Sequence, residues 1–472
     1  MTLLDVPTLT GGRPAAFTIE PATDRPSIAA YHALRREVFV REQELFAHDL
    51  DDRDEDPRTV VLVARDRRGD VVGGVRLGPA TEGPDIGWWL GGRLAVAPGW
   101  RSSGGIGPAL TRAACGYAEA AGALRLDATV QPHAQRMFHR LGWEPVRQVE
   151  VAGRSHTLMR WPIGRIAALA SGSKQDLGPL LAGLLPGGTG WVGDDAAPVP
   201  GSDLVAACDA ILPAMVERDP EWAGWCGVLV NVNDLAAMGA APVGLLDALG
   251  ARDAAHAASV LAGVRKAAAA YGVPILGGHT QLGVPAALAI TALGRTAAPV
   301  PGGGGRPGHR VRLTIDVGGG WRPGYAGRQW DSTSGRSTSE LWSMQSMVAV
   351  ARPAAAKDVS MAGIAGTLGM LAEASGCAAV LDVAAVPRPA EAAMGDWLTC
   401  FPGFGMLTTT APGADAEPPA GPATSVACGE LESGAGTVLR WPDGERTQVI
   451  TAGVTGLGTA TPSPSTPRRR QR

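Results

Sequence analysis

Four polar clusters interrupt stretches of small and apolar residues: "GDDAAPVP" (193–200), "CDAILP" (208–213), "NVNDLAAMGA" (231–240) and "GGHTQL" (277–282). A carboxylate in such surroundings is costly unless it is paired or holds a metal. Carboxylates converging from several elements are what Mg²⁺ with a nucleoside triphosphate requires, because magnesium takes oxygen ligands and bridges phosphates. Glycines beside the acids let the backbone approach the phosphates. Each cluster alone reads as a turn or a helix end, whereas the four together point to a site. A fifth stretch, "RLAVAPGWRSSGGIGPAL" (93–110), reads as an apolar strand, a glycine loop and a helix start. Gly104, Gly105 and Gly107 allow backbone N–H groups close to a ligand, and Pro108 suits a first helical turn. The free N–H groups and the positive helix end attract phosphate, with Arg101 adding a charge-assisted contact.

The elements that must position these residues follow from periodicity. Residues 28–43 have helical spacing, 59–66 and 70–78 are strand-like, 91–98 is a strand and 108–122 a helix. A strand at 123–130, a helix at 133–142 and a strand at 155–163 complete a mixed unit. Beyond it the pattern predicts a helix over 174–185, strands at 203–211 and 243–249, and helices at 226–239 and 254–272. Gly272 then serves as C′ residue, followed by strands at 273–281 and 286–294. In the helix around 226–239, Val228, Val232, Leu235 and Met238 form an apolar stripe, and Asp234 leaves it as an acid facing a metal. A breaker-rich joint at 299–309 precedes a third region that opens at 310–320, runs through an irregular stretch at 318–340, and continues with helices at 338–352 and 361–376 and strands near 378–383 and 405–410. The fold class is therefore α/β (α+β). The expected organisation is a lead-in (1–26), a first domain (27–163), a two-part second domain (165–309 and 310–458) and a disordered basic tail (459–472).

Composition narrows the function. The chain has 472 residues, enough for two to four domains, and 42 basic residues against 45 acidic, so no global basic field points to nucleic acid. Its six cysteines form no CxxC pair, which excludes a zinc ribbon and fits a reducing cytoplasm. No signal peptide or membrane-spanning run is read. There is no GxxxxGK[ST], and "GTGWVG" (188–193) leads into "DDAAPVP" rather than a helix, so neither a P-loop nor a Rossmann turn is assigned.

Residues 27–163 resemble the Gcn5-related N-acetyltransferase family. "LRREVFVREQELF" (34–46) looks like that family's first helix, and "AQRMFHRLGWEPV" (134–146) like its last helix and turn. The resemblance implies acetyl-CoA as cofactor, with its pyrophosphate on the loop of Arg101, Ser103, Gly104, Gly105, Ile106 and Gly107. The loop carries one residue more than the family pattern. Where the family has a tyrosine that protonates the leaving thiolate, this chain has Phe138. The neighbouring His139 is the catalytic substitute by position, although on a helix it is turned by about 100° from Phe138. For the acceptor's base, Glu42, Asp85 and Asp127 are candidates by position, each also reading as a solvated surface acid.

Residues 165–412 resemble the aminoimidazole-ribonucleotide (AIR) synthetase superfamily, which includes thiamine-monophosphate kinase. "VGDDAA", "NDLAAMGAAPVGL" and "AAKDVSMAGIAGTLGMLAEASGCAAVLD" (355–382) carry the likeness. It implies ATP and Mg²⁺ at the junction of two α/β halves, and a homodimer formed through the N-terminal half. By this match Asp194, Asp195, Asp209, Asp234 and Asp358 are the metal carboxylates, and Asn233, Thr280 and Ser360 contact phosphate. His279 stands where the family has a frequent acid, with a proton-accepting or orienting role, and Met361 replaces a second kinase acid. The two resemblances imply a bifunctional enzyme, an acetyl-CoA-dependent N-acyltransferase joined to an ATP-dependent synthetase or kinase, acting on small metabolites without membrane or nucleic acid. Two alternatives stay open: one domain catalytic with the other a regulatory module, or a non-enzymatic ligand-sensing dimer.

Overall fold

A computed structural model describes residues 16–101, 105–184, 191–414, 418 and 420–460. The chain divides into two compact units, Met1–Ile163 with Ala393–Gly395, and Gly164–Ala392 with Asp396–Arg472. In the first unit, strands β1 (Phe17–Pro21), β2 (Val60–Asp66), β3 (Val71–Pro79), β4 (Trp88–Val96), β5 (Arg125–Val130), β6 (Glu144–Val151) and β7 (Arg154–Trp161) form one sheet in the order β1-β2-β3-β4-β5-β7-β6. Helices α1 (Arg25–Arg35), α2 (Pro98–Arg101), α3 (Ile106–Ala120) and α4 (Pro132–Arg140) accompany it. Part of the expected lead-in is thus structured: Phe17–Pro21 pairs antiparallel with Leu62–Asp66. A five-residue edge strand gives too short an alternation to read from sequence. The helix expected over 28–43 is α1 followed by a π-helical turn, Arg36–Glu42, a form that often marks functional sites.

All neighbouring strands in this sheet run antiparallel except β4 and β5. That parallel pair matches only Trp88–Gly91 with Arg125–Ala128, and the rest of β4 pairs with β3 alone. Just past the last shared pair, Arg93 takes a positive φ of 55°. The two strands therefore part, which opens the sheet beside the N-terminus of α3.

A buried ionic network braces the same unit. Arg35 has no exposed surface and meets Asp54 at 2.6 Å and Asp49 at 2.8 Å. Arg76 meets Asp51 at 2.6 Å and Asp54 at 2.8 Å, and Arg93 reaches Asp51 at 3.0 Å. Burial alone would raise the Asp54 carboxyl pKa, but hydrogen bonds from Arg35 and Arg76 hold it far below the usual range. A carboxylate depressed in the folded state contributes its full stability above its unfolded value, and loses it as pH falls through the folded one. Stability of the first unit should therefore fall on acidification below about pH 4. Arg35→Met should cost about 1.5–3 kcal/mol at pH 7 and flatten that dependence. Denaturation series at pH 7 and pH 3 check this, and an unchanged slope in the variant would refute it.

The second unit holds two larger sheets. Strands β8 (Ala197–Pro198), β9 (Leu204–Ile211), β10 (Ala241–Ala251), β11 (Ile275–Leu282) and β12 (Ala287–Arg295) are ordered β11-β10-β12-β9-β8. The second sheet contains β13 (Arg310–Ile315) and, beyond a two-residue hairpin of β14 (Gly320–Trp321) and β15 (Trp330–Asp331), strands β16 (Ala355–Asp358), β17 (Ala378–Asp382), β18 (Gly405–Thr410), β19 (Thr424–Glu432), β20 (Thr437–Arg440) and β21 (Arg446–Ile450), in the order β16-β18-β13-β19-β17-β20-β21. The helices include α5 (Arg165–Lys174), α6 (Leu177–Leu181), α7 (Pro213–Arg218), α8 (Pro220–Ala237), α9 (Ala254–Tyr271), α10 (Thr338–Gln345), α11 (Met347–Ala351) and α12 (Gly363–Ser375). The helix expected at 174–185 is instead the pair α5 and α6, and that expected at 338–352 is divided at Ser346. Tyr325 and Trp330 are buried in the irregular stretch, with Trp330 edge-on to Trp321 and Trp397. The expected tail begins later than 459, since Ala460 is buried and its N–H donates to the Ala374 carbonyl; 461–472 lie outside the described residues.

Helix α8 carries the central acid and is buried on nearly every side rather than on one stripe. Val228, Val232, Leu235 and Met238 are buried as expected, but so are Asn231, Asn233 and Asp234. It lies so close to α9 that a Cβ on Gly224 would come within 2.1 Å of the Val260 carbonyl, and one on Gly263 within 1.9 Å of the Glu221 carbonyl. α8 also packs on β9, β12 and β16, which brings Asp234 beside the end of β16.

Candidate functional site

Three acids from three different elements meet in the second unit. Carboxylate oxygens of Asp195 (the loop before β8), Asp234 (α8) and Asp358 (the end of β16) lie within 4.8 Å of one another. Asp234 is 6 % exposed and Asp358 is 3 % exposed, and burial raises both carboxyl pKa values well above the ordinary range. Asp358, Asp209 and Asp195 push Asp234 further, and Asp195 pushes Asp358. Asp194, next in the chain, accepts from the Gly302 N–H with one oxygen, while the other is buried with no hydrogen-bond partner. Burial pushes its pKa up to about 7. Asp209 is exposed on β9, yet the protein around its carboxyl raises its pKa, with Asp195 adding to the effect.

A buried cation sits among these acids. Lys357, 3 % exposed, pairs with Asp195 and donates to the Gly193 carbonyl at 2.7 Å. The other Asp195 oxygen accepts from the Asp358 N–H at 2.9 Å. Against burial, which favours the neutral amine, Asp195 holds Lys357 protonated. Sequence reasoning passed over Lys357, although a lone lysine in the apolar strand "AAKDV" signals a buried acid for it to meet. Near the same residues the Ser360 hydroxyl is buried and unpartnered, and α12 begins at Gly363 without a side-chain cap.

Asn233 and His279 fall elsewhere, whereas Thr280 shares the sheet face of Asp209. Asn233 is fully buried, donates to the Gly403 carbonyl at 2.8 Å and accepts from Gln345 at 2.7 Å, so its amide is spent inside the fold and does not face phosphate. Thr280 and His279 lie on β11, an exposed edge strand. In the register Asp209 aligns with Ile290, Asp247 and Gly278, whereas His279 aligns with Ala248, Ala289 and Ala210. Alternation along strands therefore puts His279 on the opposite sheet face from Asp209, not with the acids.

In the first unit the N-terminus of α3 lies where β4 ends. Ser103 and Gly104 lie outside the described residues. Gly105 stands at the helix N-cap with no side-chain cap, Ile106 is buried with only its backbone available, and Gly107 is half-buried. Arg101 is already held: it pairs with Glu42 at 2.7 Å and donates to the Val96 carbonyl at 2.9 Å. The parted strands β4 and β5 flank a cavity lined by Phe138, Trp143, His133 and His156, among others. His139 is exposed and is not in that lining, as the helical turn of about 100° requires. His156 is buried, with Nδ1 at 2.9 Å from the Arg154 carbonyl. A carbonyl only accepts, so the Nδ1 side of the ring carries a proton toward it. Asp127 is no surface acid: it has no exposed surface and lies between Arg125 and Arg160 at 2.6 and 2.7 Å. Asp85 accepts from the Gly87 N–H and Trp89 Nε1.

Comparison with known proteins agrees with these two units. Residues 28–143 match the Acetyltransferase (GNAT) family, 193–296 the N-terminal domain of AIR synthase related proteins, and 336–417 the C-terminal domain of the same proteins. The uncharacterized protein sll0787 of Synechocystis is 38 % identical over 229 residues, covering 47 % of this chain and 70 % of that one. The chain belongs to the AIR synthase related family. The chain is also 33 % identical over 137 residues to thiamine-monophosphate kinase of Synechococcus elongatus, covering 27 % of this chain and 41 % of the kinase. Among solved structures, the PurL protein of T. maritima complexed with FGAR superposes with a TM-score of 0.50 at 17 % identity, over 64 % of this chain and 54 % of that one, a likeness of fold. No described helix of this AIR synthase related protein is long and apolar enough to cross a membrane.

Proposed function

We propose that the chain is a bifunctional metabolic enzyme. Its second unit would activate a small metabolite by phosphorylating it from ATP with Mg²⁺, and its first would transfer an acyl group from acetyl-CoA or a related thioester to an amine. The carrying observation is the meeting of Asp195, Asp234 and Asp358 within 4.8 Å. Their all-oxygen donors suit a hard cation, and the orphaned oxygens of Asp194 and Ser360 fit a site built for a ligand. Asp195, Asp234 and Asp358 would hold Mg²⁺, with Asp194 and Asp209 beside them. The bound ion would neutralise phosphate oxygens and template the transfer. Lys357 adds a fixed positive charge, and Ser360 with the uncapped start of α12 offers phosphate a hydroxyl and free N–H groups. The kinase relative supports the ATP-dependent part of this reading.

In the first unit the N–H groups at Gly105, Ile106 and Gly107 would take the pyrophosphate of the thioester. His156 would accept the amine's proton, and the leaving thiolate would take one from solvent, since Phe138 has none to give. That missing acid favours a second reading, in which the first unit only binds CoA. Exposed Leu246, Ile275, Leu276 and Leu282 on the five-stranded sheet support a homodimer through this half, because large exposed apolar patches mark interaction sites. All six cysteines are free, in keeping with a reducing cytoplasm.

Thermal unfolding of the full chain tests both sites. Mg²⁺ with a non-hydrolysable ATP analogue, and CoA alone, should each raise the melting temperature through linkage. Gly105→Asp sets a carboxylate where the pyrophosphate is expected and should abolish the CoA shift while sparing the nucleotide shift. Continued CoA binding by that variant would count against the loop assignment. Release of ADP or of free CoA from a metabolite mixture separates turnover from binding alone.

A further inference from the structure

Helix α8 carries Asp234 near its C-terminus, and its N-terminal end borders a separate cavity of about 150 Å³. From Asp219 to Asp234 the helix rises about 22 Å, so this cavity is not part of the acid site. Asp219, Glu221, Trp222 and Trp225 line it, with Lys266 of α9 and Arg322 just past β14. The two indole rings are 4 % and 3 % exposed, and both N–H groups are engaged, Trp222 by Gln329 at 2.8 Å and Trp225 by Thr333 at 3.2 Å. They therefore give the cavity fixed aromatic walls. Arg322 lies over the Trp222 ring, 4.4 Å from its centroid. Among the described residues its guanidinium bonds only Asp219, at 3.3 Å, and its Nε is buried with no partner. A buried donor left unpaired is costly and calls for an acceptor. Asp219 precedes α8 without capping it, so its carboxylate is not engaged by the helix. Lys266 stands 3.7 Å from Glu221, beyond hydrogen-bond reach, with both side chains largely exposed. Pairs as loose as these two contribute little stability and exchange readily for a better partner.

We propose that this cavity binds a small zwitterion of the α-amino acid class, with its carboxylate on Arg322 and Lys266 and its ammonium on Asp219 and Glu221. Two acids and two bases face one space, so a ligand of a single sign satisfies two of them and repels the other two. A zwitterion completes both loose pairs at once. Its planar carboxylate matches the guanidinium fork and gives the Arg322 Nε an acceptor, and its ammonium also gains from the indole rings. A cavity of about 150 Å³ accepts a molecule the size of benzene, which limits the ligand to an amino acid of about five to seven non-hydrogen atoms. The site does not depend on the phosphoryl-transfer or the acyl-transfer reading.

Isothermal titration of the full chain with glycine, L-alanine and L-serine, against propionate, ethylamine and inorganic phosphate, tests the class of ligand. At least one of the amino acids should bind, and about tenfold or more tightly than propionate or ethylamine, each of which lacks one of the two charged groups. Arg322→Gln should weaken that binding about tenfold or more. Should Arg322→Gln fail to fold, Lys266→Met carries the test, because the Lys266 side chain is 62 % exposed and its loss leaves the core intact. It should weaken binding about threefold or more. Absence of binding by all three amino acids overturns the proposal, as does propionate, ethylamine or phosphate binding as tightly as they do. Amino-acid binding unchanged in the folded variants overturns it as well, by placing the ligand elsewhere in the chain.

Discussion

Lys357→Met should destabilise the second unit by about 3–5 kcal/mol, because removing one partner of a buried ion pair strands the other's charge. Asp195 would then face Asp234 and Asp358 without its own ion-pair partner, and the side chains of the pair are only 4 % and 8 % exposed. The loop before β8 should loosen as well, since Lys357 also ties down the Gly193 carbonyl. Urea denaturation in the presence of a chelator measures the loss. Lys357→Met/Asp195→Asn should recover part of it, because the stranded charge is then gone. A double variant no more stable than the single one would show that Lys357 acts by packing alone.

Asp234→Asn should have opposite effects with and without ligand. In a chelator at pH 8, the wild-type site holds acids whose pKa values are raised by burial and by one another. A carboxyl raised in the folded state costs stability whenever it is ionised, so the neutral amide should leave the protein as stable or about 1 kcal/mol more stable. With Mg²⁺ and an ATP analogue at about a hundredfold their dissociation constant, wild type should gain about 2.7 kcal/mol and the variant close to nothing. The CoA shift should be equal in both. A full nucleotide shift in the variant would remove Asp234 from the metal site; destabilisation in the chelator would mean that the carboxylate has a structural partner.

How much of the site was legible varies with how local each signal is. "GDDAA", "NVNDLAAMGA" and "AAKDVS" announce acids out of keeping with their apolar flanks, and Asp195, Asp234 and Asp358 do converge. His279 carries an equally conspicuous type in "GGHTQL", but a strand shows alternate residues to opposite faces, and only the register with β10 and β12 decides which. Asn233 sits next to Asp234 and looks as functional, yet a helix turns adjacent residues apart, and Asn233 bonds Gly403 and Gln345. Lys357 went unnoticed because its partner is 162 residues away in sequence. Asp127 looks like a surface acid until β7 brings Arg160 to it, opposite Arg125 two residues along its own strand.

The sequence by itself determined the α/β class, the two family resemblances and the residue types of an oxygen-donor site. Those depend on periodicity and on short motifs, which nearest neighbours in the chain set. Tertiary structure alone decided that Asp234 is buried among acids, that Lys357 answers Asp195, that Arg101 is engaged by Glu42, and that β4 and β5 part to leave a cavity. Each of these is a pairing between distant segments, and burial and charge acquire their energies only when such segments meet.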